Sequence, residues 1–164
     1  MARSVLIANR LKEVLLNGHW IANTNFKEQL LSITLEHAIQ KIGTLNTIAA
    51  LTFHLNYYLA GLLHVLHGGK LEISDQYSFD LPPIQSEREW KELVEVFLSN
   101  AEQFAVLVEQ MTESKFDEPF ADEKYGNYLR NIEGVIEHSY YHLGQIVLIR
   151  KMIVEKTKAQ IENK

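Results

Sequence analysis

The sequence contains no cysteine and little proline or glycine. Without cysteine the chain has no disulfide, no thiolate metal ligand and no cysteine nucleophile, so any thiol chemistry needs an external small molecule. Only three prolines and eight glycines interrupt the 164 residues, which favours long regular elements. No run of about 18 apolar residues predicts a membrane span, and the N-terminal apolar run is too short for a signal peptide. We therefore predict a cytoplasmic protein with no membrane partner.

The balance of charges argues against a second class of partner. The chain carries 16 lysines and arginines against 21 aspartates and glutamates, for a formal net charge of -5 at pH 7. Nucleic-acid backbones are bound by clustered basic residues, and the one basic bias here is the lysine-rich tail after Lys151. We expect no nucleic-acid partner. The length and the 46% hydrophobic content predict a single domain over residues 1–164 with its own core.

Apolar residues recur at helical spacing in four segments, and no strand-like alternation occurs between them. Two long connections, residues 71–85 and 116–126, contain the three prolines, and residues 26–41 predict short helical pieces. The pattern predicts an all-α fold, a four-helix bundle with long connections and short extra helices. The predicted long helices cover residues 3–16, 47–67, 87–111 and 127–155.

The last of these helices is apolar on two faces. One face carries Ile136, Tyr140, Leu143 and Val147, on the side away from a stripe that includes two histidines. A helix that is apolar on two faces needs two partners. We therefore predict a homodimer that buries part of this second face, or part of the corresponding face of the second helix.

Three of the seven histidines form a candidate metal site. His138 and His142 lie four residues apart and therefore on one face of the last helix. His54 borders the apolar stripe of the second long helix. Three neutral imidazoles inside a bundle would bind a transition metal and leave positions for water or substrate. Spacing alone does not exclude hydrogen-bonded core histidines, and Gln145, one turn beyond His142, could orient that ligand or simply contact another helix.

The remaining histidines are weaker candidates for metal ligands, and two known metal-binding motifs are excluded. His64 and His67 lie in the last turn of their helix, which favours a solvated role, and His19 and His37 are isolated near turns. A zincin peptidase needs glutamate directly after the first histidine of its helix pair, where this chain has Ser139. No histidine follows a glutamate by three residues, which excludes the di-iron motif of ferritin-like bundles. A single metal with three histidine ligands remains.

A family resemblance points to the same histidines. The segment from His138 to Ile146, HSYYHLGQI, followed by Arg150, closely resembles the last-helix signature of the DinB/YfiT-like metalloprotein superfamily. Residues 52–55, TFHL, resemble the segment that carries the family's histidine in the second helix, and the resemblance covers nearly the whole chain. It implies a DinB-type four-helix bundle that binds a divalent metal, zinc or nickel. The implied ligands are His54, His138 and His142.

The resemblance implies an activity without naming a substrate. Family members with an established reaction include S-transferases that use bacillithiol or mycothiol, and a maleylpyruvate isomerase. By that resemblance the chain is a metal-dependent enzyme, a thiol-dependent S-transferase or a hydrolase, with an external low-molecular-weight thiol as the possible second cofactor. Two alternatives stay open: a non-catalytic metal-binding module of the stress response, and a structural helical dimer with core histidines. No residue identifies the catalytic groups or the small-molecule substrate.

Overall fold

The chain is all-α in a computed structural model that describes residues 1–162. No strand occurs within these residues, where the nearest feature is an isolated bridge between Pro119 and Asn127. A π-helical turn, Glu13–Asn17, follows the first helix, and short 3-10 helices lie at Asp75–Tyr77, Glu113–Asp117 and Glu123–Tyr125. The α-helices are α1 (Arg3–Lys12), α2 (Phe26–Leu31), α3 (Leu35–Ile39), α4 (Ile48–Leu66), α5 (Glu87–Glu109) and α6 (Tyr128–Glu162). The all-α prediction is confirmed.

Side-chain caps begin the long helices where the sequence predicts them. The Thr47 hydroxyl accepts a hydrogen bond from the amide three residues on and begins α4. Ser86 begins α5 in the same way, while the Glu89 carboxylate accepts from the Gln85 amide and completes a modified capping box. At the other end of α4, Gly68 adopts a left-handed φ of 88° that other residues avoid. These starts and this stop follow from local sequence chemistry.

Two helix ends differ from the predicted ones. The first helix is regular only to Lys12 and continues to Asn17 as a π-helical turn. The last helix was predicted to end near Glu155 and runs to Glu162. No glycine or proline follows Gly144 in the sequence, so no residue favours an earlier end to α6.

The core lies between the long helices, and α5 supplies three of its large aromatic side chains. Trp90, Phe97 and Phe104 are all almost fully buried. Helix α4 packs against α5 and also against α6. The contact of α4 with α6 places the predicted histidines of the two helices in the same region of the molecule.

The second face of α6 is covered by the same chain. Ile136 and Leu143 are buried, and the Tyr140 hydroxyl donates a 2.9 Å hydrogen bond to the Glu13 carboxylate. Because this face already has an internal partner, it does not require a second copy. The homodimer stays a prediction, which sedimentation at micromolar concentration tests: a monomer there would contradict it.

Helix α4 is long and apolar enough, by length and composition alone, to cross a membrane. Half of its apolar window is buried against the rest of the protein. A buried core helix of a soluble protein passes the same test, and the packing of α4 between α5 and α6 fits that case.

Candidate metal centre

Helices α4 and α6 bring the three predicted histidines together. The Nε2 atom of His138 lies 3.2 Å from Nε2 of His54 and 2.8 Å from Nε2 of His142. One ring nitrogen from each of the three lies within 4.8 Å of the others. His54 and His142 are buried and His138 is partly buried. The i,i+4 spacing on α6 and the position of His54 in the middle of α4 produce this convergence.

Two of the imidazole rings are oriented by a hydrogen bond at Nδ1, the ring nitrogen that faces away from the cluster. Nδ1–H of His54 donates to the backbone carbonyl of Ser78 at 3.3 Å. Nδ1–H of His142 donates to the Gln145 amide oxygen at 2.7 Å. Since a carbonyl oxygen accepts hydrogen bonds only, both rings carry their proton on Nδ1 and present an Nε2 lone pair to the centre.

This lone-pair arrangement fits a bound cation. A single N–H on His138 can point with good geometry at only one of its two neighbours, so at least one lone pair in the cluster stays unmatched in the neutral state. In a tetrahedral zinc site with Zn–N near 2.0–2.1 Å, ligand nitrogens stand about 3.3 Å apart. The observed 3.2 and 2.8 Å are close to that separation. The donors therefore fit a divalent ion that takes imidazole ligands.

Burial keeps the three imidazoles neutral, which is the form that binds metal. It lowers the pKa of His138 to about 4, with further contributions from nearby His142 and His54. The pKa of His54 is lowered by burial and by His142, although the Ser78 carbonyl and Asp75 partly oppose the shift. Burial also lowers the pKa of His142. Protons are therefore poor competitors for these nitrogens near neutral pH.

Aromatic side chains from α4, α6 and the connection after α4 pack against the cluster. Phe79 stacks on His54 with ring centroids 4.0 Å apart and an interplanar angle of 13°. Tyr58 packs edge-on against both His54 and His138, and Tyr141 packs edge-on against His142. These rings hold the imidazole planes and limit the access of water.

The connection after α4 is fixed where it supplies Ser78 and Phe79. The Tyr57 hydroxyl accepts from the Ser74 amide and donates to the Ser74 carbonyl, at 2.9 and 3.0 Å. Gly61 leaves room for Ile73, whose side chain would collide with a Cβ there. Contacts with α4 thus place this otherwise irregular segment over His54.

An open cleft reaches the cluster from the side of His138. Its volume is about 270 Å³, and its walls include Tyr58, Leu62, Arg130 and Gly134. On its inner side His138 borders a cavity of only about 10 Å³, too small for a ligand. A small molecule would therefore approach the cluster by the outer cleft, where His138 is the one of the three histidines that lines the wall.

The other histidines lie away from this centre. His19, His64 and His67 are exposed, and His37 is partly exposed. Sequence reasoning did not find Ser78 or Phe79, because the connection has no periodicity from which to predict what it contacts. Sequence reasoning did not place Tyr58 at the site either, because an aromatic residue at helical spacing is usually a core residue. Its spacing of four from His54 was the available signal.

Gln145 is expected to strengthen metal binding through His142. Gln145→Ala removes the acceptor that fixes the His142 ring, and loss of such a partner typically weakens metal affinity by roughly 10- to 100-fold. Competition with a chromophoric chelator measures the change. Gln103→Ala on α5 is the matched control, since the Gln103 side chain bonds only Ser99. Equal affinities of the two variants would assign Gln145 to packing alone.

The metal-free protein is expected to lose stability as the pH falls from about 6.5 towards 4. In the unfolded chain His138 has its usual pKa of 6.5, whereas in the folded chain its pKa is about 4. Protons bind the unfolded state first in that window, so acidification favours unfolding. Urea titrations across the window should show a shallower slope for His138→Gln than for the parent. His67→Gln is the control for the loss of a histidine as such, and a His138→Gln slope like the parent's would contradict the assignment.

The site thus consists of three converging imidazoles, two of them held by outer hydrogen bonds and the third, His138, lining an open cleft. Imidazole ligands suit zinc, nickel, copper and iron, so the donor set fixes the class of ion and not its identity. Comparisons with models of protein families, with curated proteins and with solved structures find no match to this chain, so the proposals that follow rest on its own residues.

Proposed function

We propose that the protein is a metal-dependent enzyme that holds one divalent ion, zinc or nickel, at His54, His138 and His142. The observation that carries the proposal is the convergence of the three imidazole nitrogens within 4.8 Å of one another. Three neutral nitrogen ligands leave a further position for water or substrate, as in catalytic zinc sites. The bound ion would supply Lewis acidity, which polarises a carbonyl or lowers the pKa of a bound water or thiol.

The residues around the site have separable roles in this proposal. The Ser78 carbonyl and the Gln145 amide orient His54 and His142. Phe79 and Tyr58 shield His54 from solvent, and Tyr58 is itself held by a 2.9 Å hydrogen bond to Asp75. The cleft beside His138 gives a small molecule access. An open cleft supports an enzyme over a module that only stores or senses metal in a closed site.

We further propose that α1, α4, α5 and α6 form a bundle of the DinB type, on the resemblance of the HSYYHLGQI and TFHL segments. The resemblance favours transfer of a thiol to an electrophile, or hydrolysis, in the cytoplasm. The absence of cysteine is compatible with an external thiol of the bacillithiol type. This step is an analogy with a family and carries less weight than the metal site.

Metal content is the first test. Protein prepared without a histidine tag should hold close to one equivalent of zinc or nickel by elemental analysis, and the His54→Ala/His138→Ala/His142→Ala variant should hold none. The matched control is His64→Ala/His67→Ala, which removes two exposed histidines of α4 and its C-terminus and should retain the metal. Equal uptake by the triple variant and the parent would refute the ligand assignment.

Activity is the second test. Metal-loaded protein should accelerate the reaction of bacillithiol with a model electrophile such as chlorodinitrobenzene, in which the thiolate sulfur replaces chloride on the ring and chloride is released, and chelation should abolish the acceleration. A protein that binds the metal but accelerates no reaction of a thiol or ester substrate would support the non-catalytic module instead.

A further inference from the structure

The cleft beside His138 carries a single charged side chain among the described residues that line it. Arg130 is its charged wall, and Tyr125 and Asn131 are polar neighbours on the same side. No aspartate or glutamate lines it among the residues that the structure describes. With a divalent ion at the histidines, both ends of the cleft would be positive. A pocket of this charge favours an anionic ligand.

Arg130 has hydrogen-bonding capacity to spare. Its Nη1 donates to the Glu137 carboxylate at 3.1 Å, and both side chains are more than half exposed. The other guanidinium nitrogens have no hydrogen-bond partner among residues 1–162. An exposed ion pair of this kind contributes little and exchanges readily, so an incoming oxyanion can take the guanidinium fork.

The part of the cleft between Arg130 and His138 is open and partly apolar, and Gly134 lies four residues from each of them on the same face of α6. A Cβ at Gly134 would meet no atom within 4 Å, so the missing side chain leaves space rather than relieving a close contact. Leu62, Val135 and the ring of Tyr58 supply apolar surface between Arg130 and His138. The cleft therefore combines a cationic end, an apolar middle and the histidine cluster.

We propose that this cleft binds a small organic oxyanion, a carboxylate or a phosphate-type group, which Arg130 holds while the rest of the molecule extends along Tyr58 to His138. The inference rests on the proposed function, because it names the chemical class of the substrate for the same metal site. Arg130 is a specificity-determining residue in this scheme, and Gly134 provides the space for the ligand body.

The test compares probes that share a phenyl ring and differ in the charge of the group attached to it. Benzoate, phenylphosphonate and neutral benzamide are titrated into zinc-loaded protein and followed by calorimetry. Benzoate or phenylphosphonate is expected to bind about tenfold more tightly than benzamide, because charge-assisted hydrogen bonds to arginine are stronger than neutral ones. The tighter of the two anions assigns the ligand to carboxylates or to phosphate-type groups.

Three variants locate the effect. Arg130→Gln should reduce the anion preference about tenfold, whereas Glu137→Gln, which frees the guanidinium, should raise anion affinity a few-fold. Gly134→Leu should block all three probes. The matched controls are Arg88→Gln, another exposed arginine paired with a glutamate, and Gly144→Leu, another α6 glycine with no atom near its Cβ position. Both controls should bind the probes like the parent.

The outcomes separate this inference from the metal proposal. Zinc content is measured on the same samples, and all five variants and controls should retain it. Stoichiometric zinc with no anion binding at millimolar concentration, or with anion binding that is indifferent to both Arg130→Gln and Gly134→Leu, would overturn the inference and leave the metal site intact. An anion preference that depends on Arg130 in protein that takes up no zinc would support the cleft and refute the metal.

Discussion

Substituting His138 with alanine is expected to abolish tight metal binding. Its Nε2 is the central atom of the cluster, 2.8 Å from the nitrogen of His142 and 3.2 Å from that of His54. Removing it leaves two ligands on different helices. The loss of affinity should exceed the roughly 10- to 100-fold that removal of an outer-shell partner causes. A zinc titration against a chromophoric chelator measures it.

Thermal unfolding tests the same prediction in a second way, because the expected order of the melting temperatures of the parent and His138→Ala differs between zinc and chelator. At free zinc about 1,000 times the dissociation constant, binding adds about 4 kcal/mol to the parent, or about 10 °C in melting temperature for a protein of this size. In chelator, by contrast, His138→Ala should melt no lower than the parent, because the parent then holds unmatched lone pairs at close range. A stable core arrangement of histidines would give the reverse order in chelator and no response to zinc.

The ligand histidines were predictable because they depend on helical periodicity. A spacing of four places His138 and His142 on one face of α6, and His54 lies beside the apolar stripe of α4. The convergence of the two helices follows once both stripes are buried in one core. Sequence alone suggests the metal-binding chemistry of these three residues. The packing of α4 on α6 is the one further step that brings them together in space.

The groups that tune the site were not predictable in the same way. Ser78 and Phe79 lie in a connection without periodic pattern, and their position depends on anchoring by Tyr57 and on the gap at Gly61. Arg130 shares a face of α6 with His138, but the cleft between them was not predictable, because its other walls include Leu62 of α4 and Tyr125 of the preceding connection. Such contacts join parts of the chain that no local rule connects.

Helix boundaries show the same division between features that the local sequence predicts and features that depend on tertiary contacts. Starts fixed by a capping side chain, as at Thr47 and Ser86, agree with the sequence within a residue. The π-helical turn at Glu13–Asn17 was not predicted. The hydrogen bond from Tyr140 to Glu13 ties this turn to α6, a tertiary contact 127 residues apart in sequence. Helical periodicity is a property of the local sequence, whereas the π-helical turn here accompanies packing against a distant helix.

Substituting Trp90 with alanine is expected to cause the largest loss of stability among single changes away from the metal site. Trp90 is 1% exposed in the first turn of α5, and its Nε1–H donates to the Ile33 carbonyl at 2.9 Å. This bond ties the link between α2 and α3 to α5. Truncation of a buried tryptophan costs about 3–5 kcal/mol, and the buried carbonyl loses its donor as well.

The second tryptophan of the chain provides the control for this loss. Trp20 is 85% exposed, so Trp20→Ala should change the free energy of unfolding by less than about 0.5 kcal/mol. Trp90→Phe keeps an aromatic ring and removes the indole donor, which separates packing from the hydrogen bond to Ile33. Urea unfolding followed by circular dichroism measures all three variants. Because the described hydrogen bond of Trp90 goes to Ile33 and none of the described ring contacts joins it to a ligand histidine, its alanine variant should bind zinc with the parent's stoichiometry below its unfolding transition. Equal losses at Trp20 and Trp90 would contradict the burial that defines the core, and loss of zinc from folded Trp90→Ala would show that the site depends on more than the helices that carry its ligands.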